Sequence, residues 1–178
     1  MHRLFVAIKI PQAVQSLLQA YQSDSLTSVY AMPAEKLHIT LHFIGNVNDK
    51  CLQDIDKALG QIKALPFSQR LCAFDAFVRK KNSDILWAGV EKNGHLLALQ
   101  QNVGVVLSGL GVTLDKREYC PHITLAKIKD GGEIISNAQE KGANFKTAFK
   151  VQSFSLFESR STDQGVVYEE IRFYPFSN

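Results

Sequence analysis

From Arg3 to Ile10 the chain alternates, with Leu4, Val6, Ile8 and Ile10 on one face, the two-residue period of a half-buried strand. Pro11 suits the first turn of a helix, and in Gln12 to Gln22 the residues Ala13, Leu17, Leu18 and Tyr21 fall at helical spacing. A polar linker follows, to about residue 28. Residues 37–44 alternate again: Leu37, Ile39, Leu41 and Phe43 form an apolar face, His38, Thr40 and His42 a polar one. Gly45-Asn46 breaks that strand. Leu52, Ile55, Leu59 and Ile62 then mark a helix of about 15 residues ending before Pro66, with strands expected at 68–78 and 84–91.

From Gly94 the pattern returns in kind. A helix runs through Leu96, Leu99, Val103, Val106 and Leu110 to the stop at Gly109–Gly111, and a strand near 119–128 follows. After a Gly-rich connection and a short helix near 133–141, the arms "FKVQSFSLFES" and "GVVYEEIRFYPF" read as a hairpin turning at Arg160 to Gln164. Helix then strand, twice over, implies two similar halves. Hairpin-like strands with separate helices favour an α+β fold of two pseudo-symmetric lobes, each an antiparallel sheet with helices outside and a cleft between them. One bilobal domain over 1–178 is expected, and no Gly-rich phosphate loop argues for a parallel sheet.

Composition narrows this picture modestly. With 178 residues, 46% of them hydrophobic, the chain can bury one substantial core. No stretch approaches the roughly 20 apolar residues of a membrane span, and "LFVAIKI" is too short for a signal-peptide core, so a cytoplasmic protein is the expectation; nothing marks a partner surface, and a monomer is the default. Cys51, Cys72 and Cys120 are odd in number and widely spaced, suggesting neither a disulfide framework nor a zinc knuckle. The net charge of +3 is compatible with an anionic substrate but demands no nucleic-acid groove.

The candidate chemistry lies in a repeated word. "KLHITLHFIG" from Lys36 and "YCPHITLAKI" from Tyr119 share His-Ile-Thr-Leu, the histidines 84 residues apart. Only five histidines are present, so chance duplication is disfavoured. On a strand His38 and Thr40 point the same way, as do His122 and Thr124. If the halves confront each other, two imidazoles and two hydroxyls converge on one small volume. Imidazole titrates near neutrality, so one copy can take a proton while the other gives one. Threonine hydroxyls can hold non-bridging phosphate oxygens without a metal. Displacement at phosphorus runs in line, and opposed histidines match that demand.

These paired words, with "RLFVAIKIP" at the start and "LFESR" near the end, resemble the LigT-like RNA 2′,3′-cyclic phosphodiesterases of the two-histidine phosphoesterase superfamily, over essentially the whole chain. The resemblance implies hydrolysis of RNA 2′,3′-cyclic phosphate ends, or nucleotides bearing them, to 2′-phosphomonoesters without metal or cofactor, together with reversible 2′,5′ joining of RNA ends. It makes His38 the group that protonates the departing 3′ oxygen, His122 the group that activates water, and Thr40 and Thr124 the phosphate holders. The family often has Arg five residues after the second histidine; here it is Lys127, which keeps the charge and loses the bidentate fork.

Other residues have weaker standing. Phe5, opposite in parity to Leu4 and Val6, is a candidate ring for a base, and Arg160 and Lys36 are candidate phosphate contacts. His42 is expected at the rim of the His38 face, His2 and His95 on the surface, and Cys120 as a core or rim residue too far from His122 to be its nucleophile. Two competing functions are a non-catalytic RNA-end binder on the same cleft, and a metallohydrolase using His38, His42, His122 and Glu118.

Overall fold

The computed structural model describes residues 1–26, 30–79, 82–129, 132–163 and 165–177. Among these residues nine strands form two antiparallel sheets. β1 (His2–Lys9), β3 (His38–Val47), β8 (Ser153–Thr162) and β9 (Gly165–Pro175) form a four-stranded sheet in the order β3-β1-β8-β9. β2 (Tyr30–Ala31), β4 (Phe67–Phe77), β5 (Asp84–Val90), β6 (His122–Ile128) and β7 (Thr147–Val151) form a five-stranded one in the order β2-β6-β5-β4-β7. Four α-helices accompany them among the described residues: α1 (Gln12–Ser25), α2 (Asp49–Leu59), α3 (Gly94–Gly109) and α4 (Gly132–Gly142). None is long and apolar enough to cross a membrane. The α+β architecture of two lobes is therefore as expected, and one contiguous buried cluster runs from Leu4 in the first sheet to Ile123 and Leu125 in the second.

Several boundaries move, for physical reasons. α2 starts earlier than the apolar spacing suggests because the Asn48 side chain caps it, accepting from the Cys51 N–H at 2.9 Å; it ends at Leu59, leaving Ile62 beyond it. In α1 the buried face is Val14, Leu18 and Gln22, while Leu17 is 51% exposed. Gln22 can be buried because its amide donates to the carbonyls of Met32 and Leu125, at 3.0 and 2.8 Å. The expected first hairpin arm is two strands: at Gln152 the chain leaves the five-stranded sheet, where β7 pairs β4, and enters the other as β8. The hairpin arms extend to Thr162 and Gly165, so Arg160 sits inside a strand and not in the turn, whose Gln164 lies outside the described residues. The expected end of the linker near residue 28 also lies outside them.

The most consequential departure is in β3. Its partners on β1 run Lys9 with His38, Ile8 with Ile39 and Ala7 with Thr40, then Val6 with His42, so Leu41 is an extra residue, a β-bulge. An inserted residue reverses the alternation beyond it. Phe43 thereby joins the face of His38 and Thr40 and is 68% exposed, whereas His42 turns inward. The expected grouping of His42 with His38, and of Phe43 with the core, is reversed. The second word repeats the device: on β6 Thr124 faces Trp87 and Ala126 faces Leu86, which leaves Leu125 as the extra residue.

Candidate active site

Each histidine opens its strand, and each is held in the same way. His38 Nδ1 lies 2.7 Å from the carbonyl of Lys36, and His122 Nδ1 lies 2.8 Å from that of Cys120, in both cases two residues upstream. A carbonyl only accepts, so each Nδ1 carries the proton and each Nε2 is left with a lone pair when the ring is neutral. Aromatic rings bracket both imidazoles. Phe5 and Tyr168 stand 5.1 and 5.4 Å from His38, Phe77 and Trp87 5.1 and 5.9 Å from His122. Both histidines remain half-buried, open on one side.

The two strands meet where the words lie. β3 and β6 pack against each other although they belong to different sheets, and the Tyr119 hydroxyl donates to the Thr40 carbonyl at 3.0 Å. The imidazoles are close enough for charge on His122 to act on His38. Burial drives the pKa of His38 down to about 4, against the Lys36 carbonyl, which raises it, and with a further lowering from His122. Burial likewise lowers His122, opposed by the Cys120 carbonyl and reinforced by the Arg79 guanidinium. Two neutral imidazoles near one another and near a fixed cation make a site that favours an anion.

Thr40 follows His38 on the same face and Thr124 follows His122, each half-buried. Among the described residues neither hydroxyl has a protein partner. The paired bulges also govern the positions five residues past each histidine. In the first lobe that position is Phe43, whose ring is 6.1 Å from Phe5. In the second it is Lys127, exposed, opposite Ile85 and hence in line with Phe77 on the His122 face. At this one position the two lobes differ, with an aromatic ring in the first and a cation in the second.

The remaining candidates separate. Phe5 reaches the site as the wall behind His38; stacked on Phe157 at 5.2 Å and only 3% exposed, it leaves Phe43 as the ring that meets solvent there. Arg160 shares its face of β8 with Glu158, and its guanidinium is held by Glu158 at 2.9 Å and Glu169 at 3.0 Å, so it is not brought to the histidines. Lys36 contributes its carbonyl. Cys120 is exposed and serves through its carbonyl. His42 Nε2 is 2.9 Å from the Gln100 carbonyl on α3, on the other side of the sheet from His38, and Glu118 pairs with Lys92, so the ligand set His38, His42, His122 and Glu118 does not converge. Among the described residues no three His, Cys, Asp or Glu side chains cluster in a metal-holding arrangement. His2, expected as a bare surface residue, bonds Asp49 and Glu158 at 2.7 and 2.9 Å.

Sequence reasoning missed Arg79, Tyr168, Trp87 and Tyr119. The basic triplet Arg79–Lys81 between two expected strands was a signal for the first. No local pattern marks Trp87 and Tyr168, which are placed through sheet pairing, whereas Tyr119 lies three residues before His122, ahead of β6.

Known proteins are similar to this chain in sequence and in fold. An RNA 2′,3′-cyclic phosphodiesterase of Archaeoglobus fulgidus is 27% identical over 175 residues, spanning 97% of this chain and 99% of that protein. One from Aeropyrum pernix is 31% identical over 141 residues, covering 77% and 80%. The crystal structure of E. coli LigT complexed with 3′-AMP superposes with a TM-score of 0.85 at 20% identity, covering 99% of both chains. The 2′-5′ RNA ligase superfamily matches residues 10–163, and to that superfamily this chain belongs.

Proposed function

We propose that the whole chain works as one bilobal domain, a monomeric RNA 2′,3′-cyclic phosphodiesterase of the cytoplasm that needs no metal or cofactor. The observation that carries this is the matched pair of imidazoles, each with Nδ1–H held by the carbonyl two residues upstream and Nε2 left with its lone pair, on two strands that pack against each other. A 2′,3′-cyclic phosphate placed between them meets an acceptor on one side and, once one ring is protonated, a donor on the other. Neutral His122 takes a proton from water as it attacks phosphorus, and protonated His38 delivers one to the 3′ oxygen as its bond to phosphorus breaks. The product is a 2′-phosphomonoester. The two rings have then exchanged protonation states and reset through solvent. A 5′-hydroxyl of a second RNA in place of water would give a 2′,5′ linkage by the same steps, in keeping with the family name.

Thr40 and Thr124 hold the non-bridging oxygens from opposite lobes, while Lys127 and Arg79 supply positive charge on the His122 side. The base rests on Phe43. Base–aromatic stacking contributes about 1–3 kcal/mol per base, so Phe43→Ala is expected to raise KM for a 2′,3′-cyclic mononucleotide by about five- to a hundredfold. A cyclic phosphate lacking a base would be hydrolysed as before, and an equal loss on both substrates would show that Phe43 supports the strand instead.

Incubation of the purified protein, in chelator, with a 2′,3′-cyclic mononucleotide tests the activity directly. The 2′-phosphate alone is the expected product. Binding without turnover would leave an RNA-end binder, and loss of rate in chelator would bring in a metal.

The pH dependence follows from the sign of the two shifts. Catalysis needs one ring neutral and one charged, so kcat/KM is bell-shaped with limbs set by the free protein. Both rings lie below the ordinary histidine value, His38 at about 4. The kcat/KM optimum should therefore fall on the acid side of about 6.5. A bound anion raises both pKa values, which moves the kcat optimum to higher pH. An optimum of kcat/KM above about pH 7 would contradict the lowering of both histidines in the free protein.

A further inference from the structure

We infer that Tyr119 is a positioning residue for this reaction: its hydroxyl ties the backbone of the first motif to the chain leading into the second, so that the two histidines keep one fixed spacing. The inference rests on the proposed phosphodiesterase activity. Its basis is a short path of bonds across the lobes. The Thr40 carbonyl accepts from the Tyr119 hydroxyl at 3.0 Å; the next residue, Cys120, offers its own carbonyl to His122 Nδ1 at 2.8 Å. Thr40 carries the hydroxyl on the His38 face and directly precedes the extra residue of the bulge.

A bulge interrupts the ladder and leaves backbone groups in need of partners. In the second lobe the need is met nearby: the carbonyl of the extra residue Leu125 accepts from the Gln22 amide at 2.8 Å and from the Met32 N–H at 2.7 Å. In the first lobe a side chain comes across from the second. The bond that steadies the β3 bulge therefore also fixes β3 against the lead-in to β6. Tyr119 is half-buried, and that burial pushes its phenol well above the ordinary range, so the hydroxyl stays a donor at any working pH.

In-line transfer is sensitive to such spacing, since a misplacement of about 1 Å can cost about 10²-fold. Tyr119→Phe removes the hydroxyl and keeps the ring. On a 2′,3′-cyclic mononucleotide it should lower kcat about tenfold, with KM within about twofold and an almost unchanged melting temperature. In a His122→Ala background the same change should cost little further, because the spacing it guards no longer matters. Unchanged kcat in Tyr119→Phe overturns the inference. So does a loss that tracks a fall in melting temperature and recurs in full with His122→Ala. An inactive wild type would overturn the phosphodiesterase reading, and this inference with it, whereas an active wild type beside a fully active Tyr119→Phe overturns the tether alone.

Discussion

Alanine at His38 or at His122 should lower kcat on a 2′,3′-cyclic mononucleotide by about 10²- to 10⁴-fold, the range of a single acid or base. The fold should survive, because each ring is half-buried at a strand end and its wall of Phe5 and Tyr168, or Phe77 and Trp87, stays in place. Groups that act as one unit are not additive, so the double mutant should be little worse than the poorer single one. The roles can be told apart with a leaving group that needs no proton. On a nitrophenyl phosphodiester His38→Ala should recover much of its rate and His122→Ala should not, since only the acid becomes dispensable. The opposite pattern would exchange the two roles. Near-normal turnover by either single mutant on the cyclic nucleotide would remove the paired-imidazole mechanism altogether.

What could be read from the sequence was whatever depends on local alternation. The strand at Leu4 to Ile8, the pairing of His38 with Thr40 and of His122 with Thr124, and the four helices all follow from periods of two and 3.6. The antiparallel architecture followed as well, because the connections were short enough for hairpins and lacked a phosphate loop. What failed was parity beyond an insertion. A strand with a bulge reads like one without, because the inserted Leu41 is apolar and continues the expected alternation. Hence plain alternation puts Phe43 on the core face and His42 at the rim of the His38 face, and the bulge inverts both together.

The same cause explains the asymmetry of the site. Two words identical in His-Ile-Thr-Leu promise a symmetric cleft. The bulges extend the shared geometry one step further, to Phe43 and Lys127, where the copies differ. The position five residues past the histidine is therefore an aromatic ring beside His38 and a cation beside His122. Phe5 was placed correctly in parity, opposite Leu4 and Val6, but its burial depends on Phe157 and Tyr168, which lie some 150 residues away and left no local trace. Partners so remote become visible only when the β1–β8 and β8–β9 registers are known.

Thr40→Val and Thr124→Val should each reduce kcat/KM on the cyclic nucleotide by about ten- to a hundredfold, the equivalent of a hydrogen bond to a charged oxygen. Valine keeps the β-branched shape that suits the strand, so the melting temperature should hardly move and the loss can be assigned to the hydroxyl. The non-bridging oxygens are charged before, during and after the reaction, so most of the loss should appear as a higher KM and weaker inhibition by a 2′-nucleotide, with kcat less affected. The two threonines stand on different lobes and share no partner within the protein, so the double mutant should lose about the product of the two single factors. A fall in kcat at constant KM would instead assign the hydroxyls to the transition state. If product affinity and KM both stay at the wild-type level in the double mutant, the phosphate is held elsewhere, and Lys127 with Arg79 becomes the place to look.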